Sequence, residues 1–183
     1  MLTKSRFPEY LRRMVQSCLT LAWNFRVPVL QPKSPAQLVS SILYETLSRS
    51  VTNYSYVDFC AGAGGPTPYI ERYLNKQLTT ARKHMVNGDS DDSVQFVLTD
   101  LHPHIPDWIE AAAKSKNLSF VSRPVDASNA PQDLLKNDKK KVFRLFNLAF
   151  HHFEDDLARD ILKNTIETAH GFGYAPCSPR RTM

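Results

Sequence analysis

An α/β fold built on a parallel sheet is expected for this chain, from three observations. Short apolar runs alternate with stretches of helical periodicity, one run at residues 142–150 is apolar almost throughout, and a cluster of small residues follows the first run. Strands alternating with helices imply right-handed crossovers and a parallel sheet. A strand without polar alternation suits the interior of such a sheet, where both faces are covered.

A chain of 183 residues supports one domain of ordinary size with a hydrophobic core. No apolar run approaches the roughly 20 residues needed to span a bilayer, so a soluble chain without a membrane partner is expected. The formal net charge is +5, yet the basic residues are scattered except for Lys139, Lys140, Lys141 and the terminal Arg180 and Arg181. The three lysines precede an apolar strand and lack interleaved aromatics, which reads as solvated surface; nucleic acid is not an expected partner. Cys18, Cys60 and Cys177 are odd in number and show no metal-type pairing. Reduced thiols inside the cell, and a cytoplasmic location, are the simplest account. The Arg-rich amphipathic start has some of the character of a mitochondrial presequence, but Glu9 and the continuing helical pattern favour a structural helix.

In chain order, Phe7, Tyr10, Leu11, Met14, Val15, Cys18, Ala22 and Phe25 recur at helical spacing. Pro28 and Pro32 break that helix. Ser34, Pro35 and Gln37 then form a helix start in which Ser caps, Pro sits in the first turn and Gln reaches back. Leu38, Ile42 and Leu47 predict the buried stripe of this second helix. Val57 and Phe59 mark the first strand, and Gly62, Gly64 and Gly65 let the chain turn tightly and bring bare backbone N–H groups toward a ligand. The competing reading of this turn is a plain strand-to-helix connector. Pro66 suits the start of the next helix, which Tyr69, Ile70, Tyr73, Leu74 and Leu78 continue.

Residues 83–93, with Asn87 and Gly88 and three aspartates, predict a surface loop. The second strand is expected at 95–98, ending at Asp100; a helix carrying Trp108, Ile109 and Ala112 follows. The third strand is expected at 118–121, with Asp126 after it, then a short helical piece at Leu134 and Leu135, and the fourth strand at 142–150. Glu154, Asp155 and Asp156 place negative charge at a helix start, and Leu157, Ile161, Leu162, Ile166 and Ala169 continue that helix to Gly171. Residues 173–183 show no periodicity and predict an irregular tail.

The suggestive residues all fall at carboxyl ends of strands, where ligands of such sheets bind. Asp58 is a carboxylate near a strand end, expensive to bury unless it meets donors. Asp100 stands where its carboxylate could accept both hydroxyls of a ribose; the other reading is a strand-terminating aspartate. Asp126 with Ala127 could place an acceptor beside an adenine amino group, or be a turn after Pro124. His102 with His104, or His151 with His152, lack the Cys or carboxylate set that would complete a metal shell, so no metal is expected.

Taken in order, VDFCAGAGG, VLTD, PVDA and FNLAFHHFEDD resemble the motifs of the class I S-adenosylmethionine-dependent methyltransferases, in particular the domains often called type 11 or 12. The resemblance covers roughly residues 50–171. It implies a Rossmann-like, doubly wound sheet with strand order 3-2-1-4 over the four strands read here. Two N-terminal helices form a cap at 1–49, the cofactor-binding domain is 50–172 and the tail is 173–183. It implies further that Asp58, Cys60, Ala61, Gly62 and Gly64 surround the methionine part of S-adenosylmethionine. Asp100 and Leu101 would hold the ribose, Asp126 and Ala127 the adenine edge, and Asn147 and Leu148 the floor. His151 and His152 become walls of the substrate mouth, or a general base.

Two departures qualify the resemblance. Cys60 replaces the first motif glycine; a low-pKa thiol catalyst is not expected there, since no partner base is identifiable. The family sheet has seven strands, and only four are read in this chain, which would leave strand four as an exposed edge open to self-association. The expected activity is methyl transfer to an unidentified, small-molecule acceptor. A noncatalytic fragment that keeps cofactor or partner binding is the alternative. A nicotinamide-dependent oxidoreductase is disfavoured, because the third glycine of its fingerprint should fall at Thr67.

Overall fold

The computed structural model describes residues 23, 25, 33–83, 93–135 and 140–175. The helix expected over residues 7–25, apart from Trp23 and Phe25, and most of the loop expected at 83–93 lie outside the described residues. So do Cys18, Cys177, Lys139, Arg180 and Arg181.

Ser34 starts helix α1 (Pro35–Leu47) as its residue pattern predicts: its hydroxyl accepts the Gln37 N–H, and the Gln37 side chain accepts the Ser34 N–H at 2.9 Å. Of the expected stripe only Leu47 packs, half-buried, against the core. Leu38 and Ile42 are 50% and 51% exposed, while Ala36, Ser40, Ser41 and Leu43 are buried. Small side chains let α1 lie close against the helix after the glycine turn, and Ser40 stays satisfied by donating to the Gln37 carbonyl.

Among the described residues five strands form one sheet: β1 (Tyr54–Phe59), β2 (Phe96–Thr99), β3 (Leu118–Phe120), β4 (Lys141–Asn147) and β5 (Gly171–Ala175). Their order is β3-β2-β1-β4-β5, and every neighbouring pair is parallel. The connections carry α2 (Thr67–Lys83), α3 (Ile105–Ala112), α4 (Gln132–Leu135) and α5 (Asp155–Thr168). The chain is therefore an α/β protein on a five-stranded parallel sheet. No helix among the described residues is long and apolar enough to cross a membrane.

Alternation along the central strands divides the core between two faces. Tyr56, Phe96, Leu98, Phe143 and Leu145 meet Ile70 and Leu74 of α2, Trp108 of α3 and, from the N-terminal side, Trp23, Ala36 and Leu43. Val57, Phe59, Val142 and Phe146 meet Ile161 of α5 and the residues around Val125 and Ala130. Only part of the expected α5 stripe is inside: Ile161 and Thr165 are buried, whereas Leu157 is largely exposed and Ile166 is 70% exposed. Ile161 is the one buried apolar residue of α5, and polar contacts of Asn164, Thr165 and Thr168 with Arg144 of β4 fill the rest of that contact.

The fifth strand corrects the reading of a sheet with four strands. Gly171, Phe172, Gly173, Tyr174 and Ala175 are not a helix end and tail; they pair with β4 from Phe143 to Asn147. Strand four is interior, between β1 and β5, so the premise of an associating β4 edge fails, and one of the strands whose absence favoured a noncatalytic fragment is present. Residues 176–183 of the expected tail lie outside the described residues.

The two glycines of β5 have a packing reason. A Cβ on Gly171 would stand 2.8 Å from Cδ2 and 2.9 Å from Cε2 of Phe143, a ring itself held edge-on by Tyr54 at 5.6 Å. Gly171→Ala should therefore destabilise the protein by about 1–3 kcal/mol through overpacking. Gly173→Ala, whose Cβ would lie 3.3 Å from the same ring, should cost less. Urea melts of the two variants check the order; equal losses would contradict it.

Candidate functional site

The winding of the sheet reverses between β1 and β4, and the region beyond their carboxyl ends is the place where open α/β sheets hold ligands. Asp58 sits at that reversal, 1% exposed. Its carboxylate accepts a short hydrogen bond from the Thr67 hydroxyl and one of 3.3 Å from Asn147 Nδ2, which also donates to Thr67 Oγ1 at 2.9 Å. The penultimate residue of β1, the last residue of β4 and the first residue of α2 are thus joined by one buried polar cluster. Burial pushes the Asp58 carboxyl up to about 7, against the Thr67 and Asn147 hydrogen bonds and helped by the charge on Asp100.

The turn after β1 needs backbone that few side chains allow. Cys60, Gly62, Gly64 and Gly65 have φ of 62°, 54°, 102° and 47°. Glycine adopts these values freely; Cys60 does so at a local cost. The expectation of bare amides aimed at a ligand is corrected for Gly62 and Gly64, and the neighbouring Ala61 amide is occupied as well. Ala61 N–H donates to the Thr99 carbonyl at 3.0 Å, Gly62 N–H to Asp100 Oδ2 at 2.8 Å and Gly64 N–H to the Ala61 carbonyl at 2.8 Å. These bonds hold the turn in shape. The Trp108 indole N–H adds a fourth, donating to the Gly62 carbonyl at 2.8 Å. Beside Gly62 itself the space is open, with nothing within 4 Å of where a Cβ would stand.

Asp100 follows β2 and bridges two loops, since its Oδ1 accepts the His102 N–H at 2.8 Å. Each carboxylate oxygen holds one N–H and keeps a further lone pair for another donor. Asp126 is exposed beyond β3, with both the N–H and the hydroxyl of Ser128 on Oδ1 at 2.8 and 2.7 Å. Val125 N–H donates to the Asp100 carbonyl at 2.9 Å, which ties this loop to the preceding one. The Cys60 thiol lies half-buried among these groups. Burial, then Asp100, Asp58 and Asp126, push it up to about 12, so it is a neutral thiol near pH 7 and no nucleophile. Asp100 takes the Gly62 N–H of the turn after β1 and, through its carbonyl, the Val125 N–H beside Asp126, so the loops after β1, β2 and β3 are joined on one side of the sheet.

The remaining expected residues divide. Asn147 is buried in the Asp58 cluster, and Ala127 is buried beneath Asp126. Leu148 is half-buried with φ of 60°, its N–H bonded to the Ala175 carbonyl at 3.0 Å. Leu101 is exposed. His151 and His152 occupy an exposed 3-10 turn (Phe150–His152), their rings 3.8 Å apart; burial and then His151 lower the pKa of His152. Among the described residues no group of three or more His, Cys, Asp or Glu is placed to hold a metal ion. Sequence reading missed Thr67, Thr99 and Trp108 as members of the site. Thr67 had one available signal, its position at the first turn of a helix after Pro66; the indole bond of Trp108 had none.

These features define an α/β protein whose candidate site is assembled from loops at the carboxyl ends of a five-stranded parallel sheet. No protein-family model matches the chain, and no curated protein matches it. Among solved structures the chain is similar to the crystal structure of EvdMO1, with 12% sequence identity, a TM-score of 0.45 and coverage of 91% of this chain. The match spans 35% of that chain's length.

The buried carboxylate makes stability depend on pH. Between 3.8 and about 7 the folded protein keeps a proton on Asp58 that the unfolded chain has released. Its contribution is whole below that window and is lost as pH rises through it. Asp58→Asn has no such ionisation, so its stability relative to wild type should rise by roughly 1–3 kcal/mol between about pH 5 and about pH 8 in urea titrations. A constant difference would show that Asp58 does not ionise in this range.

Proposed function

We propose that this chain is a Rossmann-like, class I S-adenosylmethionine-dependent methyltransferase domain acting on a small-molecule acceptor. The observation that carries the reading is that Asp100 is bonded to Gly62 in the turn after Asp58 and, through its carbonyl, to Val125 beside Asp126, at the edge of the sheet where the winding reverses. That arrangement matches the nucleoside-binding order implied by VDFCAGAGG, VLTD, PVDA and FNLAFHHFEDD.

The donor set suits the cofactor. Asp100 keeps one lone pair on each oxygen, the chemistry needed to accept from the two hydroxyls of a ribose. Asp126, exposed and aimed by Ser128, supplies an acceptor for the amino group of adenine. The open side of Gly62 admits close approach to the backbone. When bound, S-adenosylmethionine supplies an electrophilic methyl group on a sulfonium. The protein's part is to hold the nucleoside end, keep water from the crevice and orient an acceptor in line. Such transfer requires no covalent nucleophile, in keeping with a Cys60 thiol that stays protonated. A nicotinamide reading is weaker, because Thr67, where the fingerprint requires glycine, is committed to Asp58.

Isothermal titration with S-adenosylhomocysteine tests the reading. Wild type should bind, and Asp100→Ala should bind about 10–100-fold more weakly, since two charge-assisted acceptors for the ribose and the clamp on Gly62 are lost together. Absence of binding by the wild type, or an affinity untouched by the substitution, would overturn it.

A further inference from the structure

We propose that Arg144, in the middle of β4, is a positioning residue for the nucleoside site: it holds the loop that carries Asp126 from beneath, through the Ala127 carbonyl and through Asn164. The inference rests on the nucleoside reading given above and adds a residue that the reading did not contain.

Arg144 is 0% exposed, in a strand whose other central residues are apolar. It pairs with Val57 across the β1–β4 ladder and stands on the face shared with Phe59, over whose ring its guanidinium lies at 4.6 Å. Every acceptor it meets is neutral. Nη1 donates to Thr165 Oγ1 at 3.1 Å and to the Ala127 carbonyl at 3.4 Å; Nη2 donates to Asn164 Oδ1 at 2.9 Å and to Thr168 Oγ1 at 2.6 Å. Nε is buried without a partner. Burial lowers its pKa to about 10, so the group is still charged at neutral pH.

A buried cation without a carboxylate is a costly way to fasten α5 to a sheet, and an apolar side chain would serve that purpose better. What an apolar side chain cannot do is grip a carbonyl in another loop. Ala127 lies directly after Asp126, and Asn164 Oδ1, the Nη2 acceptor, also accepts the Ala130 N–H at 3.4 Å. The loop is therefore tied at two points below Asp126 to the Arg144–Asn164 pair, and above it through Val125 N–H to the Asp100 carbonyl. These ties set where the Asp126 carboxylate stands relative to Asp100, which is the spacing between the adenine and ribose acceptors.

Binding of S-adenosylhomocysteine and S-inosylhomocysteine, which lacks the adenine amino group, separates positioning from mere support. Wild type should prefer the adenosyl ligand by about 10-fold. Arg144→Met should bring the preference to within about 2-fold while changing inosyl binding less. Asn164→Ala, at a half-buried position, should move in the same direction and serves if Arg144→Met does not fold. Variants that keep the wild-type preference while losing affinity for both ligands equally would overturn the inference and leave the nucleoside reading intact. A wild type that binds neither ligand would overturn the reading itself, and one that binds both alike would overturn the role of Asp126; the inference falls in both cases.

Discussion

The hydrogen-bonded cluster of Asp58, Thr67 and Asn147 is the constraint on which the rest of the site depends. It joins the two strands that flank the reversal of the sheet to the first residue of α2. An acceptor buried so completely is tolerable only with its donors in place, and losing one leaves a cost of about 1–3 kcal/mol. The cluster therefore couples three elements distant in sequence. The turn from Cys60 to Pro66 is stretched between its two ends and takes its left-handed conformations from that closure.

A second shell of backbone contacts then spreads the geometry outward. Asp100 grips Gly62 and His102, Trp108 grips the Gly62 carbonyl, and Val125 is tied to Asp100. Few of these bonds join side chain to side chain. Carboxylates and an indole act on main-chain groups, which are the groups that a tight turn leaves in need of partners. The same residues that present charge to the crevice are thus holding the loops that form it.

Much of this was legible in the residues because turn chemistry is local. Glycines after an apolar run, aspartates at the ends of the next two strands and an asparagine at the end of the fourth mark their places by backbone demands and by the cost of burial. The capping box at Ser34 was legible for the same reason. What could not be read depended on a neighbour distant in sequence. Leu38 and Ile42 form a helical stripe, yet small residues on the opposite side of α1 let it approach α2 more closely. Gly171 and Gly173 carry no strand propensity of their own, and their pairing makes sense only once the Phe143 ring fills the space above them. Arg144 goes unmarked within the apolar run because its acceptors come from Ala127, Asn164, Thr165 and Thr168, all distant in sequence.

β5 contributes little apolar surface to the core, with Gly171 and Gly173 facing the Phe143 ring and Phe172 and Tyr174 largely in solvent. Its importance lies at its far end, where the Ala175 carbonyl receives the N–H of Leu148 and braces the left-handed kink that immediately follows Asn147. The outermost described strand thereby works as a splint. Removing it would slacken the chain just past Asn147, although the cluster's own bonds run only among Asp58, Thr67 and Asn147.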